Sequence, residues 1–197
     1  MRVIFATGNK DKMREIREIL VGLDMEILSM KEAGISIDIE ENGATFEENA
    51  LIKARAVAAL TGDLVLADDS GLEIDFLDGA PGVYSARFMG EETPYSEKNK
   101  ALIEKLRDVP EEKRTARFVC AVAAVLPDKS ERTVRETFEG YIGYAPEGEN
   151  GFGYDPIFQV PEYGCSSAAL SPEQKNAVSH RGKALRSMKK VLQECGF

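Results

Sequence analysis

Residues 65–75 read Val-Leu-Ala-Asp-Asp-Ser-Gly-Leu-Glu-Ile-Asp, an apolar run that walks directly into two adjacent aspartates. Val65, Leu66 and Ala67 suit a buried strand, but a carboxylate pair at its end is costly unless something answers the charge. The usual answers are a metal ion, a proton to be moved, or a phosphate held through that metal. Ser70-Gly71 predicts a sharp turn just beyond, which would present Asp68 and Asp69 at the rim of a sheet. This is the chemical centre of the chain.

Four other polar clusters bear on what it acts upon. Thr7-Gly8-Asn9-Lys10-Asp11-Lys12 separates a strand from a helix. Backbone N–H groups at a helix start attract anions, Gly8 permits close approach, and Lys12 adds a positive charge. The segment is not a Walker A loop, and an ordinary capped turn accounts for it equally well. Glu40-Glu41 is a second acidic pair; adjacent loop acids are usually just solvated. Two or three carboxylates with several waters are nevertheless what Mg²⁺ takes. Gly151-Phe152-Gly153-Tyr154-Asp155-Pro156 places two glycines around an aromatic. Phe152 or Tyr154 could stack on a base there, or both could fold into the core. Ser179-His180-Arg181-Gly182-Lys183, preceded by Lys175, carries the only histidine in the chain. A lone His is a poor metal ligand, but His180 and Arg181 at a helix start can donate to a carbonyl or a phosphate.

The elements that must position these clusters alternate in type. Residues 2–7 read as a strand. Asp11 to Val21 reads as a helix with Met13, Ile16 and Leu20 on one face. Thr45-Phe46-Glu47-Glu48 is a capping box opening a helix that stops at Thr61-Gly62. A strand at 64–68 follows, and Thr93-Pro94 starts a helix that ends before Pro110. Arg117–Leu126 and Thr133–Tyr141 read as strands, and Ile157–Val160 as a shorter one. The last helix carries Leu185, Met188, Leu192 and Cys195 on one stripe. The class is α/β, and the long strands after residue 115 predict a mixed sheet.

Bulk properties bound the function. A chain of 197 residues supports one domain with a real core, with room to fold into two lobes. The net charge of −9 argues against nucleic acid and anionic membranes as partners, though not against an anionic small molecule. No apolar run approaches a membrane span or a signal-peptide core, so a cytoplasmic location is expected. Cys120, Cys165 and Cys195 are odd in number and far apart, which predicts neither a disulfide framework nor a zinc site.

Taken in order, T-x-N-x-x-K from Thr7, A-D-D-S-G-L, G-x-Y-S-A-R (Gly82–Arg87), F-G-Y-D-P and S-H-R-G-K-A closely resemble the inosine/xanthosine triphosphate pyrophosphatases. These enzymes act on noncanonical purine nucleoside triphosphates. The resemblance runs from Thr7 to Leu185. It implies a single domain over 1–197 with an elongated mixed β-sheet flanked by helices, two lobes and a cleft between them, as a homodimer. It also implies Mg²⁺-dependent hydrolysis of ITP, dITP and XTP to monophosphate and pyrophosphate, removing deaminated purines from the nucleotide pool. Carried over by position, Thr7, Gly8, Asn9, Lys10 and Lys12 would hold the triphosphate. Glu40 and Asp69 would bind the metal, with Asp69 the general base, Asp68 in support and Ser70 touching substrate. Phe152, Gly153, Tyr154, Asp155, Lys175, His180 and Arg181 would shape the nucleobase pocket.

Those roles are physically coherent. Donors such as Arg181 and His180 would donate to the 6-carbonyl of hypoxanthine or xanthine. Facing the 6-amino group of adenine, they would lose ~1–3 kcal/mol for each unsatisfied buried group. Guanine shares that carbonyl and must be refused by another means. Other chemistries fit worse. Asp69-Ser70-Gly71 mimics the D-[ST]-G element of an aspartic protease, but no second copy exists to share the proton. A haloacid-type phosphatase would want D-x-D where this chain has Thr7-Gly8-Asn9. A non-catalytic nucleotide sensor would have no need of the base, and a pyrophosphatase for modified pyrimidines is the remaining relative of the first reading.

Overall fold

The computed structural model describes residues 2–20 and 25–197. Along them run β1 (Arg2–Phe5), α1 (Lys10–Ile19), β2 (Glu26–Ser29), α2 (Phe46–Thr61), β3 (Leu64–Ile74), α3 (Tyr95–Lys105) and β4 (Thr115–Val125). Then follow β5 (Glu131–Ile142), β6 (Phe158–Val160), β7 (Cys165–Ser166), α4 (Pro172–Val178) and α5 (His180–Glu194). The strand order is β2-β1-β3-β4-β5-β6-β7. β1 runs parallel to both β2 and β3, whereas β6 is antiparallel to β5 and to β7. The sheet is therefore mixed and the class α/β, as the alternation of elements predicted.

Local sequence explains the helix ends. Asn9 caps α1 by accepting from the N–H groups of Asp11 and Lys12. Thr45 caps α2 through the Glu48 N–H, and Glu48 reaches back to the N–H of Ala44 rather than that of Thr45. Gly62 ends α2 in the left-handed conformation, with φ 69°. The predicted end of α1 at Val21 lies outside the described residues.

One expectation fails instructively. No turn occurs at Ser70-Gly71; β3 runs straight through to Ile74. Leu72 and Ile74 are fully buried, and the Leu72 N–H donates to Ser85 Oγ at 2.8 Å. Burial of those two side chains outweighs the local turn preference. Asp68 and Asp69 therefore lie in mid-strand rather than at a rim.

Two compact units divide the chain. The first comprises Met1–Asp69, Cys120–Glu136 and His180–Phe197; the second comprises Ser70–Val119 and Thr137–Ser179. The core of the first unit joins Val3, Phe5, Ile16, Leu66, Val122 and Met188. In the second unit Leu72, Ile74, Leu102, Phe118, Phe138 and Phe158 form another. Within it Arg114 is fully buried, and its guanidinium donates to the carbonyls of Leu106, Ile142 and Gly143.

Candidate active site

Because β3 is straight at the acidic pair, successive side chains point to opposite faces. Asp68 turns toward α1 and α5. Its Oδ2 lies 3.0 Å from Lys12 Nζ and 3.3 Å from Arg181 Nε. Arg181, itself buried, also donates through Nη1 to Glu15 of α1. Asp69 turns toward α2, accepting from Asn49 Nδ2 at 3.1 Å and lying 3.7 Å from Lys53 Nζ. Lys53 in turn donates to Glu41 at 2.7 Å. The charge of the pair is thus answered by lysines and an arginine of the chain itself, an answer absent from the three that the sequence suggested.

The two carboxyls are pushed in opposite directions. Burial alone would raise Asp68, but Lys12, Arg181 and Lys53 outweigh it and hold Asp68 well below the usual carboxylate range. For Asp69 burial dominates over Lys53 and Lys12, Glu41 adds to the rise, and the carboxyl sits above its ordinary value. Lys53 is raised despite its own burial, because Asp69, Asp68 and Glu41 surround it. Neighbouring acids driven apart in this way are the pattern in which two carboxyls can take different acid–base roles. Cys120, buried near them, has its thiol pushed up to about 12 by desolvation and the Asp68 charge.

The other predicted residues of this unit are placed as follows. Thr7 is half-buried and its Oγ1 accepts from the Asn9 N–H, while Gly8, Asn9 and Lys10 are exposed. The Asn9 side chain occupies the amides of Asp11 and Lys12, so those two are engaged in the cap. Glu40 is exposed, and Glu41 is the half-buried member of its pair. His180 opens α5 and is buried. Sequence reasoning missed Glu15, Asn49 and Lys53. Each is a buried polar residue on the apolar face of a helix, which is the signal that marks them.

The second unit holds Ser70 and the glycine-flanked loop, as well as Lys175. Gly151 and Gly153 have φ of 74° and 69°, a region that favours glycine. Asp155 ties the loop together. Its Oδ2 accepts from the Phe152 N–H at 2.8 Å and from Lys175 Nζ at 2.7 Å, and its Oδ1 accepts from Ser167 Oγ at 2.9 Å. Tyr154 is folded into the core, edge-on to Tyr95, with its hydroxyl donating to the Ser85 carbonyl at 2.7 Å. Phe152 stays half-buried, with Lys175 Nζ 5.0 Å from its ring centre. Of the two candidate stacking rings, Phe152 is the one that stays partly exposed. The unit boundary falls between Asp69 and Ser70, and again between Ser179 and His180.

A mixed α/β sheet carrying a strand-borne acid pair, clasped by basic side chains from three helices, defines the class of this protein. The chain belongs to the Ham1 family, whose sequence profile matches residues 3–191. It is 47% identical over 192 residues to the dITP/XTP pyrophosphatase of Exiguobacterium sibiricum, covering 98% of this chain and 97% of that one. It is 46% identical over 190 residues to the enzyme of the same name from Bacillus subtilis, covering 96% of each chain. Among solved structures it resembles a HAM1 protein from Coxiella burnetii, with a TM-score of 0.90 and 41% identity over 98% of this chain and 99% of that one. The Ham1 protein of Staphylococcus aureus matches with a TM-score of 0.89 and 38% identity, over 98% and 99% of the two chains. No helix among the described residues is long and apolar enough to cross a membrane.

Proposed function

We propose that this protein is a nucleoside triphosphate pyrophosphatase that hydrolyses dITP, XTP and ITP to the monophosphate and pyrophosphate with the help of Mg²⁺. The observation that carries the reading is the placement of Asp68 and Asp69 on opposite faces of β3, Asp68 clasped by Lys12 and Arg181 and Asp69 held by Asn49 and Lys53, with their carboxyls shifted in opposite directions. The names of the family members above supply the substrate class.

The metal is compatible with this chain. Among the described residues no group of three or more His, Cys, Asp or Glu is set to hold an ion. Mg²⁺ needs no such cage, since it keeps its waters and takes one or two carboxylates plus substrate phosphates. Asp69 and Glu41 converge on Lys53 Nζ, at 3.7 Å and 2.7 Å, so hard carboxylate oxygens from β3 and the 40–43 stretch already meet around one cation. Glu40 and Asp69 would hold the ion. When bound, it would neutralise charge on the phosphoryl oxygens and acidify a water.

The chain's own residues do the rest. Asp69 Oδ1 or Oδ2 takes the proton of a water as its oxygen bonds to the α-phosphorus. The bond from that phosphorus to the α–β bridging oxygen breaks, and pyrophosphate leaves with the electron pair. Asp69, raised above an ordinary carboxylate, is a better proton acceptor than Asp68, whose pairing with Lys12 and Arg181 keeps it an anion. Lys12 and Lys10, with the Thr7–Asn9 backbone, offset the triphosphate charge that a protein of net charge −9 must answer locally. The purine would stack on Phe152, whose loop Asp155 and Lys175 hold in shape. His180 and Arg181 are the donors assigned to the purine 6-carbonyl; in this structure Arg181 is engaged by Glu15 and Asp68. A homodimer in the cytoplasm belongs to the same proposal.

Incubation with Mg²⁺ and ITP, XTP, dITP, GTP, ATP, CTP and UTP, with pyrophosphate and orthophosphate measured separately, tests it. Pyrophosphate from the deaminated purines should be released at least about tenfold faster than from ATP, whose 6-amino group would leave two donors unsatisfied. Orthophosphate as the first product, or no turnover at all, would overturn the reading.

A further inference from the structure

α2 carries two buried polar residues one helical turn apart on a face otherwise made of Phe46, Ala50, Ala54 and Val57. Asn49 is fully buried, and its amide is used at both ends. Nδ2 donates to Asp69 Oδ2 at 3.1 Å, and Oδ1 accepts from the Gly43 N–H at 2.8 Å. Lys53 makes a parallel link, donating to Glu41 at 2.7 Å and standing 3.7 Å from Asp69 Oδ1. Both links join Asp69 to the same short stretch, residues 41–43.

Gly43 is part of this device. A Cβ there would stand 2.8 Å from Asn49 Oδ1 and 2.8 Å from Glu48 Cβ. The backbone therefore approaches α2 more closely than any larger residue permits. The stretch is pinned again one residue on, where the Ala44 N–H donates to Glu48 at 2.6 Å. An apolar residue in place of Asn49 would serve packing alone. Burying an amide there is worthwhile only if its hydrogen bonds have a use.

We propose that Asn49 is a positioning residue that holds the Asp69 carboxylate in register with the acid-bearing segment 40–43. The idea rests on the pyrophosphatase reading, in which Asp69 must meet a water in line with the α-phosphorus. A neutral amide suits this task, since it orients one carboxylate oxygen without cancelling the charge that accepts the proton. Lys53 answers that charge from the other side.

The test compares Asn49→Ala, Asn49→Asp and Gly43→Ala with Arg55→Ala, a control that removes an exposed ion pair to Glu131 on the same helix. kcat and KM are measured with dITP, and hydrogen–deuterium exchange is followed over residues 40–45. Asn49→Ala and Gly43→Ala should lower kcat by on the order of 10–100-fold, as expected for a base misplaced by up to an ångström. KM should stay within about threefold, and exchange over 40–45 should quicken at least tenfold in both. Asn49→Asp keeps the acceptor for Gly43 but repels Asp69, so kcat should fall while that segment stays protected. Arg55→Ala should match the wild type in kcat. A kcat within twofold of wild type in Asn49→Ala, or an equal fall in Arg55→Ala, would overturn the proposal. If the wild-type protein releases pyrophosphate from no triphosphate, the functional reading fails by itself. The link is then judged by exchange alone, and unchanged protection in Asn49→Ala would overturn it.

Discussion

Replacing Asp68 by Asn removes one charge and almost no volume, which makes it the cleanest probe of the site's electrostatics. The wild-type carboxylate is fully buried and takes Lys12 and Arg181 on one oxygen, at 3.0 Å and 3.3 Å. Breaking a buried pair by removing one partner costs about 3–5 kcal/mol. Two features favour the low end. Arg181 keeps Glu15, and the Lys12 side chain, 17% exposed, can turn its ammonium to water. The Asn carbonyl can take the place of Oδ2 and keep accepting, while its NH₂ takes the place of Oδ1, which has no partner to lose. A loss of about 3 kcal/mol follows, equivalent to roughly 6–12 °C in Tm for a chain of this length.

Urea unfolding of both proteins across pH gives the check. The folded-state value of Asp68 is depressed, so its contribution is full above the unfolded value of about 3.9 and fades as pH falls toward the folded one. The difference between wild type and Asp68→Asn should be flat from about pH 5 upward and shrink below about pH 4. It should also survive about 0.5 M salt, because buried pairs are weakly screened. A difference under about 0.5 kcal/mol at pH 7, or one that grows on acidification, would refute the reasoning.

Two further outcomes follow from the second unit. Arg114→Met should destabilise by about 3 kcal/mol or more in urea unfolding, because the carbonyls of Leu106, Ile142 and Gly143 lose a buried donor. Gly151→Ala puts a Cβ 2.3 Å from Asp155 Oδ2 at a φ of 74°, which should loosen the hold of Asp155 on Phe152 and Lys175. Its KM for dITP should rise about tenfold with kcat much less affected, as expected for lost uniform binding, while its circular dichroism stays that of the wild type.

Much of the scaffold was legible because its signals are local. Thr45 and Gly62 bracket α2 as their capping chemistry predicts, and the apolar run before Asp68 is a buried strand. The Ser70-Gly71 turn was misread because a dipeptide preference competes with the burial of Leu72 and Ile74, which lie two and four residues past Ser70. β2 escaped notice as a four-residue strand at the end of the sheet order with no fully buried side chain. α4 was readable in principle, since Ser171 and Gln174 form a full capping box with Pro172 between them. The opposite shifts of Asp68 and Asp69 could not be read from spacing. They are set by Lys12, Lys53 and Arg181, which come from three separate helices, and by the strand alternation that a turn would have abolished.

In the proposed reaction a water activated by Asp69 attacks the α-phosphorus of a deaminated purine triphosphate. Single-turnover hydrolysis of dITP in ¹⁸O-labelled water, with mass analysis of both products, tests it most directly. One heavy oxygen is expected in dIMP and none in pyrophosphate. Label in the pyrophosphate would place the attack on the β-phosphorus and contradict the proposed reaction.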